Sequence, residues 1–293
     1  MNHSELEKRA KTLRLNALTL AAGMKSGTFK SLYRGHGMEF SGVREYLRGD
    51  DVRAIDWNVS ARMSRPFVKM FEEERELDVF LVVDDSFSMG TGGGRQSKLE
   101  TAIDAASIIT LASEKNSSPV GAVIFDGTIN FSCAPKRGAE QSLILLSQFE
   151  RMRSKTERSN GSALDAALKG AWKLLKKRSL VIIISDFRTE GWASPLAKLA
   201  QKNDVVAVRV TDRQDSELPR IGSVKFKDPE TGTLSVLPTS DARFSRQWRE
   251  SDERRVQAWQ KECIRRSAVP LEISTDEDAA SSLIHFFNER KMA

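Results

Sequence analysis

From residue 78 onward, short apolar runs alternate with stretches of helical period. The runs are DVFLVVD (78–84), VGAVIFD (120–126), LVIIISD (180–186) and DVVAVRVTD (204–212). Continuous Val/Ile/Leu runs of this length read as strands covered on both faces. Between them, SKLETAIDAASIITLASEKN opens with Ser97 and Glu100 at capping-box spacing and sets Leu99, Ile103, Ala106 and Thr110 on one stripe. GSALDAALKGAWKLLKKR does the same with Leu164, Ala167, Ala171 and Leu174. TINFSCAP, after Phe125-Asp126-Gly127, reads as the return arm of a hairpin, which adds one antiparallel edge strand. A second hairpin spans 223–238, followed by a polar helix over about 240–267, a strand at 271–275 and a helix at 277–291. Strands that alternate with crossover helices predict an α/β fold: a doubly wound, mostly parallel sheet with helices on both faces.

Residues 1–76 follow another pattern. A helix over about 4–23 leads into a stretch rich in turn signals, with too few long apolar runs for a core of its own. The expectation is an N-terminal extension, 1–76, packed on a main domain, 77–293, with PFVKMFEE (66–73) as an added edge strand. In REYLRGDDVRAIDWNVSAR, the residues Arg44, Glu45, Asp50, Asp56 and Arg62 suit a structural ion-pair network, with Tyr46 and Trp57 as anchors.

Composition changes this picture little. Hydrophobic residues at 40% and charged residues at 29% suit a folded, soluble chain. A net charge of +6 invites nucleic acid as a partner, but residues 1–76 and 77–293 share the excess evenly. Basic runs such as KLLKKR (173–178) read as solvated helix faces, so no nucleic-acid binding is expected. Cys133 and Cys263 lack disulfide-framework or metal spacing. No window approaches 18 uninterrupted apolar residues, and the first residues do not form a signal peptide, so a cytoplasmic protein without a membrane span is expected.

The candidate chemistry stands where the first run ends, in DDSFSMGTGGG (84–94). In a doubly wound sheet, ligands bind beyond the carboxyl ends of the strands. Residues two apart in an extended segment face the same way, so Asp84, Ser86 and Ser88 converge while Asp85 and Phe87 turn elsewhere. Asp186 closes a second strand. Oxygens alone, with one or two carboxylates, suit Mg2+, and Mn2+ or Ca2+ by the same chemistry. Alone, D-x-S-x-S is a short pattern. Its place after a strand, with Ser185-Asp186 a hundred residues later, gives it weight.

FLVVDDSFSM resembles the metal-ion-dependent adhesion site of von Willebrand factor A domains: D-x-S-x-S on the first strand, a Thr on a later loop, an Asp after the fourth strand. The resemblance implies metal ligation by Asp84, Ser86, Ser88, Ser162 and Asp186. Ser162, in SNGSALDAAL, stands where the family usually has Thr, and IIISDF replaces the usual T-D-G. Helix or turn capping is the alternative role for Ser162 and Asp186. REYLRGDDVRAIDWNVSAR, with FVKMFEEERE, is similar to the bacterial family called domain of unknown function 58, in which this signature precedes a von Willebrand factor A-like domain. That resemblance implies a MoxR-type AAA+ ATPase as partner and a protein-interaction role. The chain has no G-x-x-x-x-G-K-[ST] phosphate loop, and GTGGGRQSK (90–98) lacks that ending. The expected function is a non-enzymatic adaptor that coordinates a partner's Asp or Glu through the metal. The competing readings are Mg2+-dependent phosphoryl transfer with Asp84 as nucleophile, for which Ser86 stands where a second acid is needed, and nucleic-acid binding.

Overall fold

The computed structural model describes residues 3–26, 39–72, 78–93, 96–155, 158, 161–218, 221–227 and 234–289. Contacts divide the chain into two units, Phe29–Glu76 and the union of Met1–Thr28 with Leu77–Ala293. Helix α1 (His3–Ser26) precedes the small unit, which holds β1 (Glu39–Glu45), α2 (Trp57–Met63) and β2 (Phe67–Glu72). The remainder runs β3 (Asp78–Asp84), α3 (Lys98–Lys115), β4 (Val120–Phe125), β5 (Ile129–Lys136), α4 (Ala139–Ser154), α5 (Leu164–Leu174), β6 (Ser179–Ser185), α6 (Ala193–Ala200) and β7 (Asp204–Thr211). It closes with α7 (Arg213–Ser216), β8 (Ser223–Lys227), β9 (Leu234–Pro238), α8 (Ala242–Arg265), β10 (Ala268–Ser274) and α9 (Ala279–Glu289).

The six-stranded sheet has the order β10-β7-β6-β3-β4-β5. Counted along the chain from β3, this is 3-2-1-4-5-6, the doubly wound order, and its switch point lies between β3 and β6. All pairings are parallel except β4 with β5, the antiparallel edge expected from TINFSCAP. Every residue of β4 and β6 is buried, as is β3 beyond Asp78, which explains their unbroken apolar sequence. Phe80, Val82, Val181 and Ile183 form one face of the core with Leu164, Ala167 and Leu168 of α5, Leu196 and Leu199 of α6, and Trp259 and Cys263 of α8. Burial pushes the Cys263 thiol up to about 12. Helix α3 packs against the strands as well, with α1 and α9 layered on it. Its capping box forms as the sequence predicts: Glu100 N donates to Ser97 Oγ (3.2 Å) and Ser97 N to Glu100 Oε2 (2.9 Å).

Residues 1–76 divide between the two units, and the edge-strand expectation changes. Helix α1 belongs with the sheet unit: Ala17, Leu20, Ala21 and Met24 are buried, and Asn116 Nδ2 donates to the Ala21 carbonyl at 2.9 Å. PFVKMFEE adds no strand to the main sheet. Its residues 67–72 pair antiparallel with β1, because a partner about 20 residues away is reached at smaller loop-closure cost than a distant sheet edge.

The signature segment is organised by its acids. Arg44 grips Asp50 with two bonds of 2.7 Å, and Leu47 N also donates to Asp50 (2.8 Å). The Arg44 hydrogen bond, then the Leu47 N–H, hold the Asp50 carboxyl down at about 2. Asp56 caps α2 through Asn58 N and Val59 N, and Arg65 pairs with Glu45. Arg62 makes no ion pair among the described residues. Trp57, expected as an anchor, is 71% exposed.

Candidate metal centre

The carboxyl ends of β3 and β6, adjacent in the sheet, place Asp84 and Asp186 side by side. Asp84 is the last residue of β3 and is buried. Its Oδ1 accepts from Ser86 N (2.9 Å) and its Oδ2 from Ser185 Oγ (2.6 Å). The Ser185 hydroxyl in turn accepts from Phe187 N (3.0 Å), which closes the β6 end over Asp84.

The two serines converge by a different geometry from the one the sequence suggested. Ser86 is extended, but residues Phe87–Gly90 coil into a 3-10 turn. Along an extended strand, residues two apart are separated by about 6.6 Å of rise. The turn instead brings Ser88 Oγ to 3.2 Å from Ser86 Oγ. Asp85 turns away as expected, to Arg158 Nε (3.0 Å) and Lys155 Nζ (3.3 Å). Lys155 also binds Asp126 (2.7 Å), and Ala163 N donates to the Asp126 carbonyl (2.7 Å). These contacts tie the segment before α5, which carries Ser162, to the ends of β3 and β4.

Ser86, Phe87, Ser88, Gly161, Ser162, Asp186 and Thr189 line one small pocket. Four of the five sequence-predicted residues therefore share it, and Asp84, outside the lining, accepts a hydrogen bond from Ser86 N. Ser162 does not cap α5; its buried hydroxyl has no hydrogen-bond partner among the described residues. A buried polar atom without a partner is costly, and a ligand in the pocket would satisfy it.

The two carboxylates differ in their surroundings. Burial and then the charge of Asp186 push Asp84 up to about 7, against the Ser185 and Ser86 hydrogen bonds. No cation pairs with Asp84 among the described residues. Asp186 is also penalised by burial, yet Lys98, Arg188 and the Ser88 hydroxyl bring it below the usual carboxylate range. Lys98 Nζ lies 3.4 Å from Asp186 Oδ2 and 3.0 Å from Asp215 Oδ1. Sequence reasoning missed Lys98 and Asp215, and saw Ser185 only as a neighbour of Asp186. Lys98 opens an amphipathic helix and reads there as an ordinary first-turn lysine.

The donor set consists of oxygens: two carboxylates and three hydroxyls. Among the described residues no group of three or more His, Cys, Asp or Glu side chains gathers around one point. The set fits a hard divalent cation, which keeps waters and takes only one or two carboxylates, better than Zn2+, which favours nitrogen and sulfur.

Residues 42–258 match the family model described as "Protein of unknown function DUF58". "Uncharacterized protein Rv1480" of Mycobacterium tuberculosis is 30% identical over 283 residues, covering 96% of this chain and 88% of that protein. "Uncharacterized protein MAV169" of Mycobacterium avium is 33% identical over 121 residues, 40% of this chain and 69% of that protein. Among solved structures, BatB from Bacteroides thetaiotaomicron aligns over 74% of this chain and 100% of that one, with 17% identity and a TM-score of 0.47. The SpRpn10 VWA domain aligns over 72% and 95%, with 13% identity and a TM-score of 0.38. No helix among the described residues is long and apolar enough to cross a membrane. With the signature inside the matched region and the relative of M. tuberculosis aligned over nearly its whole length, the chain belongs to the DUF58 family.

Proposed function

We propose that this chain is a protein-interaction module that holds a divalent cation, Mg2+ foremost and Mn2+ or Ca2+ by the same chemistry, and through it captures an Asp or Glu of a partner protein. Asp84, Ser86, Ser88, Ser162 and Asp186 would hold the ion. When bound, such a cation supplies a hard centre with a position open to an outside carboxylate oxygen. One observation carries the reading: the Asp84 carboxylate is buried without a cationic partner among the described residues, beside hydroxyls of which Ser162 Oγ is unbonded. A buried unpaired charge is costly, and an added cation offsets that cost.

The partner we propose is a MoxR-type AAA+ ATPase, the partner that the family resemblance implies, which would supply the nucleotide chemistry for assembly or remodelling. The chain itself then has no catalytic role. Phosphoryl transfer by Asp84 is disfavoured because Ser86 stands two residues on, where that chemistry needs a second acid.

The test is a pull-down from native lysate with and without chelator, together with Mn2+ titration of the purified chain. The expected result is metal-dependent capture of an AAA+ ATPase, lost in Asp84→Asn, with Ser162→Ala weakening Mn2+ binding by about tenfold, ~1.4 kcal/mol. Identical capture with chelator present and in Asp84→Asn would remove the metal from the function.

A further inference from the structure

Lys98 is the first residue of α3, and its side chain is only 1% exposed. Lysine is almost never buried to this extent unless paired. The capping box fixes its backbone in the first turn of the helix. Its partners are Asp186 Oδ2 at 3.4 Å and Asp215 Oδ1 at 3.0 Å. Asp215 Oδ1 also receives Arg188 Nη2 at 2.5 Å, and Arg188 Nε lies 3.7 Å from Asp186 Oδ2. Two cations thus serve two acids, and Asp84 is left over. The adjoining cluster of Asp85 and Asp126 with Lys155 and Arg158 is balanced in itself.

We infer that Lys98 is a built-in counter-ion that makes the site weak for a divalent cation alone and strong for one completed by an external carboxylate. The inference rests on the metal reading above and names its regulation. Asp84, Asp186, Asp215, Lys98 and Arg188 together carry one net negative charge when all are ionised. A divalent ion leaves the set one charge positive, and a single carboxylate from outside restores neutrality. Unit charges a few ångströms apart in a buried site interact strongly enough for this surplus to decide affinity. Without Lys98 the set would carry two negative charges, the ion alone would neutralise it, and the outside acid would lose its advantage.

Mn2+ titration of the full chain, followed by the paramagnetic resonance of free Mn2+, with and without acetate, tests this. In the wild type, Mn2+ binding should be weak and tightened by acetate. Lys98→Met should bind Mn2+ at least about tenfold more tightly and lose the acetate effect. Asp215→Asn should bind at least about tenfold more weakly. The pair Lys98→Met with Asp215→Asn restores the charge count and should return to wild-type behaviour. If Lys98→Met fails to fold, Asp215→Asn alone decides by the opposite sign. Mn2+ binding that is equal in the wild type and either single variant, or acetate tightening that persists in Lys98→Met, overturns the inference and leaves the metal reading intact. Absence of Mn2+ binding in every protein, with and without acetate, overturns both.

Discussion

Phe187 shows how one residue reconciles two demands. It follows Asp186 where the resembling family has glycine, and its φ of 53° lies in the left-handed region that favours glycine. A non-glycine residue there costs roughly 1–2 kcal/mol. The ring is buried and packs edge-on against Trp192 at 5.4 Å and tilted against Trp259 at 5.6 Å. Removing a buried phenylalanine side chain costs about 3–5 kcal/mol. Packing therefore outweighs strain, and Phe187→Gly should destabilise the chain by about 1–4 kcal/mol in urea denaturation. A stabilised variant would mean that the strained backbone, rather than the aromatic cluster, dominates this strand end.

Among the elements, the β4–β5 pair leaves no room for a side chain at one position. Register shifts between Val120 and Ala122, opposite Cys133 to Lys136, and Gly121 stands at that irregularity. A Cβ there would meet Pro135 N at 2.6 Å and Ala134 C and Cys133 O at 2.8 Å, all backbone atoms. No side-chain rotation relieves such contacts, so the strands would have to separate. Gly121→Ala is expected to destabilise by about 1–3 kcal/mol. It should also speed amide exchange along β5, and unchanged exchange in β5 would show that the edge strand yields without cost. Because Asp126, which follows β4 directly, accepts from Ala163 N beside Ser162, this pairing also bears on the candidate site.

For the whole molecule, the consequential arrangement is the assignment of α1 to the sheet unit although the whole of the other unit, 29–76, lies between it and β3 in the chain. Leu20 is fully buried, and a carbon placed on Gly23 would come to 3.3 Å from Phe287 Cβ in α9. Leu20→Ala should lower the stability of the sheet unit by about 2–4 kcal/mol, read from the main unfolding transition. An α1 that contributes nothing to that unit would leave the transition unmoved.

The alternation of apolar runs and amphipathic stripes carried the strands, most of the helices and the doubly wound class, because burial on both faces leaves an unbroken mark in the chain. Strand ends in such a sheet are also where ligands gather, so Asp84, Ser86, Ser88 and Asp186 were legible as a group. Ser162 was legible only through resemblance, since its hydroxyl reaches the pocket by way of a loop with no period of its own. Lys98, Asp215 and the Ser185 bond to Asp84 were not legible. Each depends on which side chains meet across elements far apart in the chain, and local pattern does not record that distance. The pairing of β1 with β2 and the seat of α1 belong to the same class: periodicity states that a surface must be covered, while only the folded packing decides what covers it.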